Sequence, residues 1–178
     1  MTMEASIGEN AEKMLAGLDA LGIGYRLVTH PAVTSMEECE RIAEGTGAHH
    51  FKNLFLQNKR GTEFYLVLIG RNKRFNTSSV SRQLGSTRLS FTTEEKLFSV
   101  LGLKKGAISA VGLLNDAAHR VHVAIDGDIL KEERLLIHPG VNTASLVITT
   151  DDLKRLLSLL GYEPRVISVP ELADRTDE

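Results

Sequence analysis

A lysine near the start of an apolar strand is the first residue in this chain whose type and position could do chemistry. The run FKNLFL at residues 51–56 is apolar except for Lys52 and Asn53. A half-buried lysine costs free energy unless its ammonium group meets an anion or a carbonyl oxygen. The run therefore indicates a ligand with negative charge beside Lys52. A strand lysine whose ammonium group simply reaches solvent has the same pattern.

Two later segments carry further candidate groups. The loop from Gly106 to Gly112 begins and ends with glycine, so backbone N–H groups around Ser109 and Ala110 can approach an oxyanion or an α-amino group closely. His138 precedes a proline, which holds it in an extended conformation, and Asn142 follows shortly after. Glycine-rich loops often only turn the chain, and buried histidines are often satisfied by backbone. These patterns alone do not decide the function.

The chain lacks the usual signatures of nucleophilic and metal-dependent enzymes. It has no Gly-x-Ser-x-Gly segment, no His-Glu-x-x-His segment, and a single cysteine, Cys39, which we interpret as a small core or helix-face residue. His49 and His50 are adjacent and are expected to point to opposite faces of a strand, so a shared metal is not expected. We therefore predict no metal and no cofactor.

Length and composition favour one globular domain. The chain has 178 residues, of which 42% are hydrophobic, enough to form one core. It contains no run of about 18 apolar residues, and its first thirty residues lack the pattern of a signal peptide. These features predict a cytoplasmic protein without a membrane segment. We predict one domain over residues 1–170 and a frayed acidic tail over 171–178.

The net charge of −2 hides an uneven distribution. Residues 1–51 carry three basic and eight acidic side chains, residues 52–105 carry eleven and three, and residues 106–178 carry seven and twelve. Positive charge concentrated in this way is typical of a face that binds a phosphate backbone, although it can also be solvated surface. The candidate docking residues are Arg71, Lys73, Arg74, Lys104 and Lys105.

Hydrophobic periodicity and turn residues predict strands in the centre of the chain, with helices between and around them. Ser35 with Glu38, and Thr92 with Glu95, have the spacing of capping boxes that start helices. The other predicted helices cover 10–21, with Asn10 as its cap, 78–84 and 151–160. The predicted strands cover 25–29, a hairpin of 52–57 with 62–69, then 120–125 ending in an Asp126-Gly127 turn, 135–138, 145–149 and 165–169. Because strands and helices do not alternate regularly, we predict a mixed α+β fold.

Together these segments resemble one family. The matching pieces are Lys52–Leu56, Arg88–Phe91, Gly112–Asp116, His138-Pro139 with Asn142, and Gly161–Pro164. Their order and spacing are similar to those of the YbaK or prolyl-tRNA-synthetase-associated editing domains. The branch that they resemble most is that of the free-standing prolyl-tRNA editing proteins, called ProX or PrdX. The resemblance covers roughly residues 25–169.

The resemblance implies a single mixed α+β domain with a curved, mostly antiparallel central sheet flanked by helices. It implies that a wrong amino acid is hydrolysed from the 3′ end of a tRNA without a metal. The catalytic positions that it implies are Lys52, Gly106 and Ala110. The substrate-binding positions that it implies are Asn53, His138, Asn142 and Ser109.

Two positions depart from the family pattern. Ala110 stands where proline is usual, which affects the rigidity of the loop and hence the expected rate. Arg74-Phe75-Asn76 stands where many relatives carry Asp-Leu-Lys.

The activity implied by the resemblance is deacylation of mischarged tRNA(Pro), with Ala-tRNA(Pro) first among the substrates. A synthetase gains only about 1–3 kcal/mol of discrimination per methylene, so a second pocket too small for proline would supply the rest. We predict that Leu54, Leu56 and Leu66 line it. The alternatives are Cys-tRNA(Pro) or another small aminoacyl-tRNA as substrate, or a non-catalytic binding module that kept the fold. The expected partner is the acceptor end of tRNA(Pro), with a transient association with prolyl-tRNA synthetase and no obligate protein partner.

Overall fold

Two β-sheets form the frame on which the candidate residues lie. The computed structural model describes residues 7–171. Its strands are β1 Arg26–Thr29, β2 Phe51–Gln57, β3 Phe64–Gly70, β4 Ser90–Phe91, β5 Val121–Asp126, β6 Arg134–Ile137, β7 Ala144–Thr149 and β8 Arg165–Ile167. Its helices are α1 Glu9–Ala20, α2 Met36–Thr46, α3 Thr77–Gln83, α4 Glu94–Leu101 and α5 Thr150–Leu159, with short 3₁₀ helices at Ala110–Asn115 and Ile129–Lys131.

The sheets differ in size and direction. The smaller sheet has the order β1-β7-β6 and is antiparallel. The larger has the order β4-β2-β3-β5-β8, antiparallel on the β4-β2-β3 side and parallel from β3 through β5 to β8. An isolated parallel bridge between His49 and Leu135 of β6 joins the two sheets just before β2 begins. The predicted mixed α+β fold is confirmed, with the central sheet divided into these two parts.

Strand β3 lies at the centre of the core. All seven of its residues are buried, as expected for a strand that is covered on both faces. Side chains alternate along a strand, so Phe64, Leu66 and Leu68 pack in one hydrophobic cluster, while Tyr65 and Val67 pack in a second cluster on the other face. The predicted hairpin of β2 and β3 is confirmed to within two residues at its ends.

Helix starts follow local polar residues, with two shifts from prediction. Ser35 Oγ accepts from the backbone N–H of Glu38 at 3.2 Å, as predicted for α2. Helix α4 is capped by Thr93, one residue after the predicted Thr92, because the Thr93 hydroxyl accepts from the N–H three residues ahead. Asn10 lies inside α1, where its amide donates to the Gly102 carbonyl at 3.2 Å and so cannot cap that helix.

A turn follows β5 at Gly127 and Asp128, as the Asp126-Gly127 pair predicts, but it does not close a hairpin. Strand β5 leads through a 3₁₀ helix to β6, which belongs to the other sheet. Asp126 is instead a buried acceptor, and its carboxylate receives the Gly70 N–H at 3.0 Å. At the end of the described chain, Glu171 makes an isolated antiparallel bridge with Lys73, and residues 172–178 of the predicted acidic tail lie outside the described residues. None of the helices within residues 7–171 is long and apolar enough to cross a membrane.

Candidate active site

A cavity of about 400 Å³ lies at the N-terminal end of β2. Its walls are formed by residues 50–54, by the segment 33–36 with Cys39 of α2, by Gly106 and Ile108, and by His138 at the end of β6. Strand β4 pairs with β2 at Leu56 and Gln57, so it covers the other end of β2 and leaves this end free. Parts of the chain that are more than eighty residues apart therefore meet in one hollow.

Lys52 is half-buried and makes a defined contact. Its Nζ donates to the backbone oxygen of Lys73 at 2.7 Å. An ammonium group has three N–H donors, so two remain for a ligand. The carbonyl oxygen that a half-buried lysine needs is thus supplied by the protein itself. Because a carbonyl carries no net charge, the positive charge of Lys52 at the cavity wall is not neutralised.

Three buried polar atoms in the cavity wall have no hydrogen-bond partner within residues 7–171. They are His50 Nδ1, Asn53 Oδ1 and His138 Nδ1. An unpaired buried polar atom costs about 1–3 kcal/mol, and each such atom in a native structure calls for an explanation. Three of them around one hollow indicate a site whose ligand supplies the missing partners.

Both cavity histidines are neutral at pH 7. Burial lowers the pKa of His50 to about 4, with smaller contributions from the nearby charges of His138, Arg71 and His49. Burial also lowers the pKa of His138, against a hydrogen bond to the Ala144 backbone that raises it. A neutral imidazole keeps one nitrogen free to accept a hydrogen bond or a proton.

His50 is the cavity residue that sequence reasoning missed. The sequence indicates only that His50 and the adjacent His49 are not expected to share a metal, and it assigns His50 no other role. The two have different surroundings, because His49 Nδ1 lies 3.7 Å from a Glu132 carboxylate oxygen while His50 is 5% exposed in the cavity wall. The available signal was spacing: residues two apart in an extended segment point the same way, which would have placed His50 beside Lys52.

The glycine-bracketed loop contributes to the cavity through its first residues. Gly106 has a φ of +91°, a conformation that other residues rarely adopt, and it forms the wall together with Ile108. The Ser109 hydroxyl is fully buried and accepts from the Val111 N–H at 3.2 Å, which starts a 3₁₀ helix. Ala110 is 1% exposed in the first core cluster. Neither of these two residues lies in the cavity wall, so Ser109, a substrate-binding position implied by the resemblance, does not line the cavity, and its hydroxyl makes a capping bond.

Asn142, a substrate-binding position implied by the resemblance, does not line this cavity and instead contacts Val33 of the cavity wall. Its Nδ2 donates to the Val33 carbonyl at 3.1 Å, and the Val33 N–H donates back to the Asn142 carbonyl at 3.0 Å. This pair fixes the wall segment 33–36. Of the three predicted apolar wall residues, Leu54 lies in the cavity wall, whereas Leu56 and Leu66 are fully buried in the two core clusters.

The five candidate docking residues lie in different places. Lys73 is 4% exposed and its ammonium group lies 2.7 Å from Asp126 and 2.6 Å from Asp128, so the prediction that it belongs to an exposed docking face is wrong. Arg71 is paired with Glu40. Arg74 is exposed, and so are Lys104 and Lys105, which line a separate hollow of about 770 Å³ together with Lys13.

A basic groove of about 1040 Å³ adjoins the cavity; its basic residues are Arg74, Arg82 and Arg88. All three arginines are exposed and make no ion pair with another residue of the described range. Phe75 also lines the groove and lies 6.2 Å, centroid to centroid, from Phe91, which is 64% exposed. Arg74 directly follows the residue whose carbonyl holds Lys52, which places the groove next to the cavity.

Metal-binding geometry is not found in the part of the chain that the structure describes. Across residues 7–171, no three or more His, Cys, Asp or Glu side chains are grouped in a way that could hold an ion.

Comparison with known proteins gives the family. The sequence profile of the aminoacyl-tRNA editing domain matches residues 30–156. Prolyl-tRNA editing protein ProX of Acetoanaerobium sticklandii is 34% identical over 158 residues, which cover 89% of this chain and 96% of that protein. Prolyl-tRNA synthetase associated domain-containing protein 1 of Xenopus laevis is 29% identical over 164 residues, which cover 90% and 97%.

A solved structure shares the fold. It is provisionally described as a trans-editing enzyme for prolyl-tRNA synthetase, and it matches with a TM-score of 0.72 at 22% identity over 94% of this chain and 100% of that one. The resemblance inferred from sequence is confirmed, and the prediction of an aminoacyl-tRNA deacylase is confirmed at the level of the family. This chain belongs to the aminoacyl-tRNA editing domain family.

Proposed function

We propose that this protein is a trans-editing deacylase that hydrolyses mischarged tRNA(Pro), with Ala-tRNA(Pro) as its substrate. The observation that carries the proposal is the group of three unpartnered polar atoms, on His50, Asn53 and His138, around the hollow beside Lys52. Family membership supports the reaction class. The choice of tRNA(Pro) is supported by the 34% identity to a prolyl-tRNA editing protein.

The polarity of the cavity matches an aminoacyl ester. The α-ammonium group of such an ester has three N–H donors, and the Asn53 side-chain oxygen and the neutral imidazoles are acceptors. The ester carbonyl is an acceptor, and the Lys52 ammonium group keeps two donors after its bond to the Lys73 oxygen. Binding of the ester therefore gives partners to the wall atoms that lack them and removes their desolvation cost.

Hydrolysis of this activated ester requires a positioned water and stabilisation of the developing oxyanion. In our proposal the Lys52 ammonium group faces the carbonyl oxygen as its negative charge develops. The water oxygen bonds to the carbonyl carbon while a proton of the water passes to a neutral imidazole, that of His50 or His138. The bond from that carbon to the ribose oxygen breaks, and the ribose oxygen takes up the proton.

The size of the cavity fits a small acyl group. A volume of about 400 Å³ lies at the small end of ligand sites and suits an alanyl group with part of its ribose. The walls include Phe51, which is 2% exposed in the core and so cannot move aside easily. In our proposal the rigid wall at Phe51, and not the cavity volume, excludes the larger proline ring and supplies the discrimination that a synthetase pocket lacks for alanine.

The acceptor end of the tRNA is proposed to dock over the basic groove. The arginines there are free of ion pairs within the described range, and they can contact phosphates without reading sequence. The exposed ring of Phe91 can stack with an unpaired base near the 3′ end. A transient association with prolyl-tRNA synthetase and a cytoplasmic location stay predictions from the sequence.

A deacylation panel tests the proposal directly. Purified protein is incubated with Ala-, Ser-, Cys- and Pro-tRNA(Pro), with and without EDTA, beside a Lys52→Ala variant. We expect rapid hydrolysis of Ala-tRNA(Pro), sparing of Pro-tRNA(Pro), and no effect of chelation. Preferred hydrolysis of the cysteinyl or seryl ester would select the alternative small substrate. Hydrolysis of none of the four would contradict the enzyme and favour the binding module.

A further inference from the structure

The turn between β3 and α3 carries the carbonyl that holds Lys52. Lys52 Nζ donates to the Lys73 backbone oxygen at 2.7 Å. The side chain of Lys73 turns into the protein, where its Nζ lies 2.7 Å from Asp126 Oδ2 and 2.6 Å from Asp128 Oδ2. Lys73 therefore contacts the candidate catalytic lysine through its backbone and the end of β5 through its side chain.

Asp126 holds this turn at both ends. Its carboxylate accepts from the backbone N–H of Gly70, the last residue of β3, at 3.0 Å. The same carboxylate pairs with the ammonium group of Lys73, which lies three residues after Gly70. The Lys73 N–H donates to the Gly70 carbonyl at 3.0 Å and closes the turn. Asp126 is 1% exposed, so these contacts form in the protein interior, where the low dielectric constant strengthens hydrogen bonds and ion pairs. A turn fixed in this way leaves its Lys73 carbonyl little freedom.

The charge of Lys73 is internal and balanced. Burial alone lowers the pKa of Lys73, but hydrogen bonds and charge from Asp126 and Asp128 outweigh it, and the net shift is upward. Lys131 lies 2.9 Å from the other oxygen of Asp128. The charges of the two lysines and the two aspartates cancel, so this cluster does not attract a phosphate group.

We propose that the buried Lys73–Asp126 ion pair positions Lys52 for ester hydrolysis, which makes Lys73 and Asp126 positioning residues of the editing site. The proposal rests on the proposed function of Lys52. Loss of the pair frees the turn, and the ammonium group of Lys52 then moves relative to the ester carbonyl. A misplacement of about 1 Å at a catalytic group lowers the rate by about a hundredfold.

The test removes both charges together. A single Lys73→Met change leaves Asp126 buried without its cation and endangers folding, whereas Lys73→Met with Asp126→Asn leaves no buried charge and keeps an acceptor for the Gly70 N–H. Steady-state kinetics on Ala-tRNA(Pro) are measured for this double variant. We expect kcat to fall about ten- to a hundredfold and KM to stay within twofold of the wild-type value.

Lys131→Met is the matched control. This change removes the ion pair between Lys131 and Asp128, which lies at the protein surface because the Lys131 side chain is 77% exposed. It leaves the buried Lys73–Asp126 pair in place. Its kcat and KM should equal those of the wild type. A second readout needs no activity: the ¹³C signal of an ε-labelled Lys52, assigned by its absence in Lys52→Ala, should shift and sharpen in the double variant as the held ammonium group becomes mobile.

Two results would overturn the proposal. A higher KM with unchanged kcat would show that Lys73 docks tRNA after all. A lower unfolding temperature with wild-type kcat and an unmoved Lys52 signal would show that the pair serves stability alone. If the wild-type protein hydrolyses no aminoacyl-tRNA, the proposed function fails, and the Lys52 signal still decides whether the pair holds Lys52.

Discussion

Two lysines that touch each other show how surroundings set the role of a charge. Lys52 meets a carbonyl oxygen, which orients its ammonium group without cancelling the charge. Lys73 contacts two carboxylates and is 4% exposed, so its positive charge is neutralised inside the protein. Lys52 can therefore stabilise an oxyanion in the cavity. Lys73 can only hold the turn whose carbonyl orients Lys52.

Replacement of Lys52 by alanine should abolish deacylation and leave the fold intact. We expect kcat/KM on Ala-tRNA(Pro) to fall at least a hundredfold, because the oxyanion loses its only proposed cation. Lys96→Ala is the matched control: Lys96 is also half-buried and donates to Gln57 Oε1 at 3.0 Å, at the far end of β2. Kinetics with circular dichroism on both variants decide the matter, and an alanine variant at position 52 within a few-fold of wild type would contradict the role.

Buried neutral histidines make the protein sensitive to acid. The pKa of His50 is about 4 in the folded protein, against about 6.5 for an exposed histidine, so the unfolded chain binds the proton first as pH falls. The stability that depends on neutral His50 is complete above pH 6.5 and is lost towards pH 4, on the order of 3 kcal/mol over that interval. His138 shifts in the same direction.

A His50→Gln variant should therefore show a flatter dependence of stability on pH. Urea unfolding of the wild type and the variant is compared at pH 7 and pH 4.5. We expect the loss of unfolding free energy between the two pH values to be smaller in the variant. Equal losses in both proteins would mean that His50 is not held neutral by its surroundings.

Single residues could be placed from sequence where a local pattern restricted them. Lys52, Asn53, Gly106 and His138 come from three distant segments, and they line one cavity as expected. Lys73 was misplaced because its partner Asp126 lies fifty-three residues away, and no local pattern shows that a lysine in a basic stretch turns inward to meet it.

Helix ends and hairpins were predictable because their causes are local. A capping hydroxyl and a hairpin turn act over three or four residues, and α2 and the β2–β3 pair lie close to their predicted positions. The division into two sheets was not predictable. It depends on the parallel pairing of β3 with β5, strands more than fifty residues apart, and on one bridge at His49. Such pairings are chosen by packing of the whole core.

The wall segment before α2 gives a test of how elements shape the cavity. Asn142→Ala removes the side-chain bond to the Val33 carbonyl and keeps the backbone bond between the two residues. A hydrogen bond of this kind contributes about 1 kcal/mol, so we expect the KM for Ala-tRNA(Pro) to rise by at most about fivefold, the value reached if that whole contribution is lost from substrate binding. Asn115→Ala removes a similar bond, to the Leu101 carbonyl at 2.9 Å, away from the cavity and should leave KM unchanged. Equal effects of the two changes would point to a general loss of stability.

The positive middle third of the chain does not form one surface. Folding pairs Arg71 and Lys73 with carboxylates, leaves three arginines around the groove next to the cavity, and places Lys104 and Lys105 at another hollow. Sequence alone could show the excess of basic residues but not which of them remain available to a polyanion. Only the available ones contribute to counterion release when a nucleic acid binds.

Charge reversal in the basic groove tests where the tRNA docks. Arg74→Glu, Arg82→Glu and Arg88→Glu together should weaken the binding of deacylated tRNA(Pro) at least tenfold and reduce the slope of log K against log salt by about two units, because each lost phosphate contact contributes about 0.7–0.9. The control carries the same change in net charge at exposed residues elsewhere: Lys131→Glu, Lys154→Glu and Arg155→Glu. Binding is followed by fluorescence anisotropy across a salt series. If both triple variants lose affinity equally, the effect is one of total charge. If neither does, the hollow at Lys104 and Lys105 becomes the docking surface to test next.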